Sequence, residues 1–135
     1  MSSIPYLNKP ILNARDAIAT HIRWKITLLT AARMQEPLSE RATQSIQQPD
    51  ECAISRWILS DSTLPVRGTP QFAAVLARHR EFHTEMQRIA KLLNAGLYLQ
   101  AETQLASRTV FEQTSLALAH ALMALDRLLA QPIAS

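Results

Sequence analysis

Between Phe72 and Leu93 the chain sets Phe72, Leu76, His79, His83, Met86, Ala90 and Leu93 at intervals of 4, 3, 4, 3, 4 and 3 residues. That period lines one face of an α-helix and excludes a strand, whose faces alternate every second residue. Arg78, Glu81, Glu85, Arg88 and Lys91 fall on the opposite face, so the stripe is an apolar seam backed by a solvated one. Hydrophobic residues make up 47% of the chain, aromatic residues only 5%, and there are two glycines. This balance favours helices over sheets.

The remaining punctuation predicts one all-α domain over residues 1–135, its core from about 8 to 130. A first helix is expected from about Pro10 to Met34, with Asn13 as an alternative cap and Pro37 beyond its end. "SERATQSIQQ" reads as a polar, partly helical connector. A short second helix is expected from Asp50 to about Ser60, followed by the loop "DSTLPVRGT". Thr69-Pro70 opens a third helix that ends near Asn94, with a break at Gly96. A long fourth helix is expected from Leu97 to Ala130, stopped by Pro132. The architecture implied is a four-helix bundle with an additional short helix carrying the cysteine.

Two of the four histidines, His79 and His83, therefore stand on a buried stripe, one turn apart. Burying two imidazoles is costly unless they are satisfied, and a metal ion satisfies them in the neutral form. His21 lies on a similar seam with Ala14, Ala17, Trp24 and Leu28. Cys52, the only cysteine, falls in the first turn of the short helix if Asp50 caps it, where the helix dipole favours thiolate. Each residue alone reads as an ordinary core side chain. Together His21, Cys52, His79 and His83 form a three-histidine, one-cysteine set suited to tetrahedral Zn²⁺. His120 lies about 200° from Leu118 at ~100° per residue and is expected at the periphery or an interface.

Other functions find no support in the residues. The net charge of +3 is spread among acidic residues, without the basic stripe that nucleic-acid binding requires. No window approaches a membrane span, and the opening residues lack an apolar signal-peptide core. One cysteine excludes an intrachain disulfide, and a cytoplasmic setting is expected. No glycine-rich phosphate loop or carboxylate pair on a seam is present, so no enzyme activity is expected.

The order His21-Ile-Arg-Trp24, Cys52-Ala-Ile54-Ser55-Arg-Trp57, His79-Arg-Glu-Phe-His83 resembles the chemoreceptor zinc-binding (CZB) domain family. The family pattern is His-x-x-aromatic, Cys-x-aliphatic-Gly-x-aromatic and His-x-x-x-His; the resemblance spans about residues 8 to 130. Ser55 stands where the pattern has glycine. The resemblance implies a zinc ion held by the three histidines and Cys52, with Trp24, Ser55 and Trp57 around them. It implies a bacterial signalling role, on chemoreceptors, on diguanylate cyclases of cyclic di-GMP signalling, or as small stand-alone proteins. It also implies a homodimer, and a signalling partner or output domain outside this chain. Two alternatives stand beside zinc sensing. One is a thiol redox sensor, of the hypochlorous acid type, using zinc-bound Cys52. The other is a metal-free helical adaptor that binds a partner through the last helix, where Leu116, Ala119 and Met123 lie outside the main seam.

Overall fold

The computed structural model describes residue 11, residues 13–48 and residues 52–131, and these contain helices and connecting turns but no strand. The elements are α1 (Ala14–Met34), α2 (Glu40–Gln47), α3 (Ala53–Ile58), a 3₁₀ helix (Asp61–Val66), α4 (Pro70–Asn94), α5 (Tyr98–Gln104) and α6 (Val110–Ala130). Pro10, Asp50 and Pro132, expected as boundary residues, lie outside the described residues.

Local chemistry explains where each helix starts. Asn13 is the cap of α1; its Oδ1 accepts from the Asp16 N–H at 2.9 Å, and Asp16 complements the positive end of the helix dipole. The other end of α1 turns on Gln35 at φ 56°, with Glu36 N–H on Ala31 O at 3.0 Å and Gln35 N–H on Ala32 O at 3.2 Å. This paired closure usually employs glycine. Thr69 caps α4 through Phe72 N–H, and Pro70 occupies the first helical position, as expected. Gly96, at φ 78°, turns the chain out of α4.

The connector expected to be partly helical contains α2, capped by Ser39 and anchored by buried Ala42 and Ile46, one turn apart. Two expectations need correction. The loop after the short helix contains a 3₁₀ helix, whose Thr63 hydroxyl donates to Ile58 O at 2.6 Å. The expected long fourth helix is divided into α5 and α6. Arg108 adopts the left-handed backbone there, at φ 67°. Thr109 accepts from Glu112 N–H at 3.2 Å, and Glu112 reaches back to Arg108 N–H at 3.4 Å. A new helix start is built by this near-reciprocal capping.

The three long helices carry the core. α4 packs most extensively on α6, and α1 packs on α6 and α5. Ala14, Ala17, His21, Trp24 and Leu28 of α1 are all buried. So are Phe111, Ser115, Leu118, Leu122 and Leu125 of α6. The α4 seam is buried except for half-buried Leu76, and a second buried row, Val75, Phe82 and Ile89, widens it. That second row lets α4 contact neighbours on more than one side, so it sits at the centre of the packing. Polar clamps hold α2 against it: Asn94 Oδ1 accepts from Leu38 N–H at 3.0 Å and Asn94 Nδ2 donates to Thr43 Oγ1 at 3.1 Å.

The left-handed backbone at Gln35 carries a cost that glycine avoids. Replacing Gln35 with Gly is expected to stabilise the protein by about 1 kcal/mol, measured as a higher urea midpoint at unchanged slope. A lower midpoint would contradict this reading of the α1 terminus.

Candidate metal centre

Cys52 is the cap residue of α3, placed by extended backbone just ahead of the first turn. Its Sγ accepts from Ser55 N–H at 3.3 Å, as an oxygen would in an ordinary capping serine. Because α3 buries Ile54, Trp57 and Ile58, this cap is pinned to the core. The thiol is thereby aimed at α4.

There it meets His79, with 3.3 Å between Sγ and Nε2. His83 lies one turn further along α4, its ring edge-on to that of His79 with centroids 4.6 Å apart. Donor atoms of Cys52, His79 and His83 all lie within 4.8 Å of one another, and all three residues are buried. A tetrahedral Zn²⁺ with ligand bonds of ~2.3 Å to sulfur and ~2.0 Å to nitrogen separates those two atoms by about 3.6 Å. The Cys52–His79 spacing is close to that edge, so the donor set fits a metal ion of this kind.

The outer atoms orient the donors. His83 Nδ1 lies 3.1 Å from Ile46 O. A carbonyl only accepts, so Nδ1 carries the proton and Nε2 the lone pair. Gln87, one turn on, donates its Nε2–H to the same carbonyl at 3.2 Å. The His79 Nδ1 faces the Ser55 hydroxyl at 3.4 Å. Metal-binding histidines are characteristically held in this way, through the nitrogen that does not ligate.

His21 borders this group without sharing its 4.8 Å circle. Its Nε2 lies 2.9 Å from Ser115 Oγ, and its ring stands edge-on to Phe82 at 4.6 Å. Its Nδ1 is buried with no hydrogen-bond partner. That is an expensive state for a neutral imidazole. Trp24 and Trp57 are buried in the same core, and Trp57 Nε1 makes no hydrogen bond. His120 is exposed, as expected.

Burial sets the protonation of the metal-free cluster. Desolvation pushes His79 down to about 3, helped by the charges His83 and His21 would carry. Desolvation pushes His21 down to about 4, with a smaller contribution from Lys25. Desolvation likewise raises the Cys52 thiol, outweighing the Ser55 and Ile54 hydrogen bonds. This corrects the expectation of a dipole-stabilised thiolate. Cys52 precedes a helix of only six residues, and removal from water dominates. The metal-free site therefore holds His21 and His79 as neutral imidazoles and Cys52 as a protonated thiol.

The functional groups that sequence reasoning missed are Ser115, Phe82, Gln87 and the Ile46 carbonyl. Ser115 had a signal, since it is the one hydroxyl on an otherwise apolar seam. The carbonyl had none, because its role depends on how α2 packs.

The chain matches no protein-family model, no curated protein and no solved structure. The resemblance to the CZB pattern therefore rests on the sequence motifs alone.

Both depressed histidines release protons on folding, because the unfolded imidazole titrates at 6.5. Stability is then complete above pH 6.5 and lost as the pH falls toward 3 to 4. Metal-free protein is expected to lose roughly 4 kcal/mol between pH 7 and pH 5 through these two groups. Urea unfolding of chelator-treated protein at both pH values measures this. A flat profile would contradict the burial of neutral imidazoles.

Proposed function

We propose that the protein is a zinc-binding regulatory domain of bacterial signal transduction, of the CZB type. The observation that carries the reading is the convergence of one thiol and two imidazoles from α3 and α4 in a water-excluding core. Such a donor set suits Zn²⁺ over harder cations, which take oxygen ligands. His21 is the proposed fourth ligand. It is the buried imidazole beside the cluster, and it has an unsatisfied nitrogen. When bound, the ion supplies the positive charge that keeps Cys52 as thiolate. Its ligands then tie α1, α3 and α4 together. Four protein ligands close the shell to a catalytic water, so no enzyme activity is proposed.

Coupling to the rest of the molecule runs through His83. The nitrogen turned away from the cluster holds Ile46 O at the end of α2. Rotation of the His83 ring on gain or loss of metal therefore pulls on α2, which is otherwise clamped by Gln87 and Asn94. A signalling partner or an output domain would read that shift in helix packing. The cytoplasm is the proposed setting, since it keeps a lone thiol reduced. Cys52 is 7% exposed and burial pushes its thiol pKa up, and both features disfavour a freely reactive thiol in the metal-free protein. A metal-free adaptor gives no account of three buried polar side chains meeting at one point. A homodimer is proposed through α6, whose Leu116 and Met123 are 48% and 40% exposed.

Protein purified without a tag is expected to carry about one zinc per chain by mass spectrometry, lost in Cys52→Ala, His79→Ala and His83→Ala. Zinc at about 1,000 times its dissociation constant should stabilise the wild type by about 4 kcal/mol. Wild-type protein that takes up no zinc when it is offered would overturn the proposal. Sedimentation at high concentration should give a dimer; a single monomeric species would remove the homodimer.

A further inference from the structure

Resting on the zinc reading above, we propose that Ser55 is a positioning residue of the metal centre. It occupies the position at which the CZB pattern has glycine, so the pattern assigns its side chain nothing. In this chain the hydroxyl lies between two of the donors. Ser55 Oγ is 3.4 Å from His79 Nδ1 and 3.6 Å from Cys52 Sγ, while the Ser55 backbone N–H donates to the same sulfur at 3.3 Å. The residue is buried with them.

A hydroxyl oxygen accepts readily from an imidazole N–H. Accepting from Nδ1–H keeps the proton on that side of the ring. The Nε2 lone pair is then left facing Cys52 Sγ, which is the orientation a shared ion requires. The same hydroxyl places its dipole against the sulfur and changes the electron density there. Glycine can do neither. It retains only the backbone N–H to Sγ, which every residue but proline supplies. The serine thus makes the site more pre-organised, at the cost of a side chain that must be buried and satisfied.

Ser55→Ala isolates the hydroxyl, because the backbone N–H remains. Two readouts apply. The first is Zn²⁺ affinity by competition with a chromogenic chelator at fixed pH. The second is the thiolate-to-metal charge-transfer band of the Co²⁺-substituted protein, which a general loss of stability does not move. Ser55→Ala is expected to bind zinc roughly 10-fold or more weakly and to shift that band. Ser55→Thr, which keeps the hydroxyl, is expected to retain the wild-type band. Unchanged affinity and band in Ser55→Ala would overturn the inference, and so would a wild-type band lost in a folded Ser55→Thr. Should Ser55→Ala fail to fold, the Ser55→Thr band decides. Cys52→Ala and His79→Ala serve as controls. If they also bind zinc as the wild type does, the zinc reading itself fails; if they lose zinc while Ser55→Ala does not, only the role of Ser55 is lost.

Discussion

The structure depends on a desolvation problem at its centre. A thiol and three imidazoles are placed in a core that is otherwise mainly apolar. Buried polar groups cost free energy unless they are paired. Here most of the pairing is arranged within the chain: Cys52 with Ser55, His79 with Ser55, His83 with Ile46, His21 with Ser115. It remains incomplete at His21 Nδ1. Core packing alone would be better served by apolar residues of similar size. Three of these groups, Cys52, His79 and His83, stand close enough together to hold a metal ion.

The helices reflect this arrangement. α4 supplies two of the donors and touches α1, α2, α5 and α6, so the cluster sits on the element that packs against most of the domain. α3 is too short to persist alone. Its buried side chains and its capping thiol hold it in place, which makes its position sensitive to the state of Cys52. α2 is tethered mainly by hydrogen bonds rather than by a broad apolar face; only Ala42 and Ile46 are buried on it. Elements with few buried contacts are the ones that move at low energetic cost.

Much of this was legible in the sequence. The α4 seam, with Thr69-Pro70 at its start and Asn94 at its end, followed from periodicity and capping chemistry, and so did the inward face of α1. Both are long amphipathic patterns, for which such rules work best. The division between α5 and α6 was missed. Yet the signature was present in Thr109-x-x-Glu112, obscured by the apolar run that follows. α2 was underestimated because its eight residues are mostly polar and its burial rests on two of them. Faces and spacing put His21, Cys52, His79 and His83 in one set; the structure gathers Cys52, His79 and His83 and leaves His21 outside their 4.8 Å circle. The protonation of Cys52 was not anticipated, because desolvation depends on tertiary packing that no local pattern encodes. The Ser115 and Ile46 contacts span 94 and 37 residues, and nothing local specifies them.

The most direct test is X-ray absorption at the zinc edge of purified protein reconstituted with one equivalent of Zn²⁺. The expected spectrum contains one sulfur at ~2.3 Å and imidazole nitrogens at ~2.0 Å, with the sulfur shell absent in Cys52→Ala. A shell of oxygen and nitrogen alone in the wild type would contradict a metal centre built on Cys52, His79 and His83.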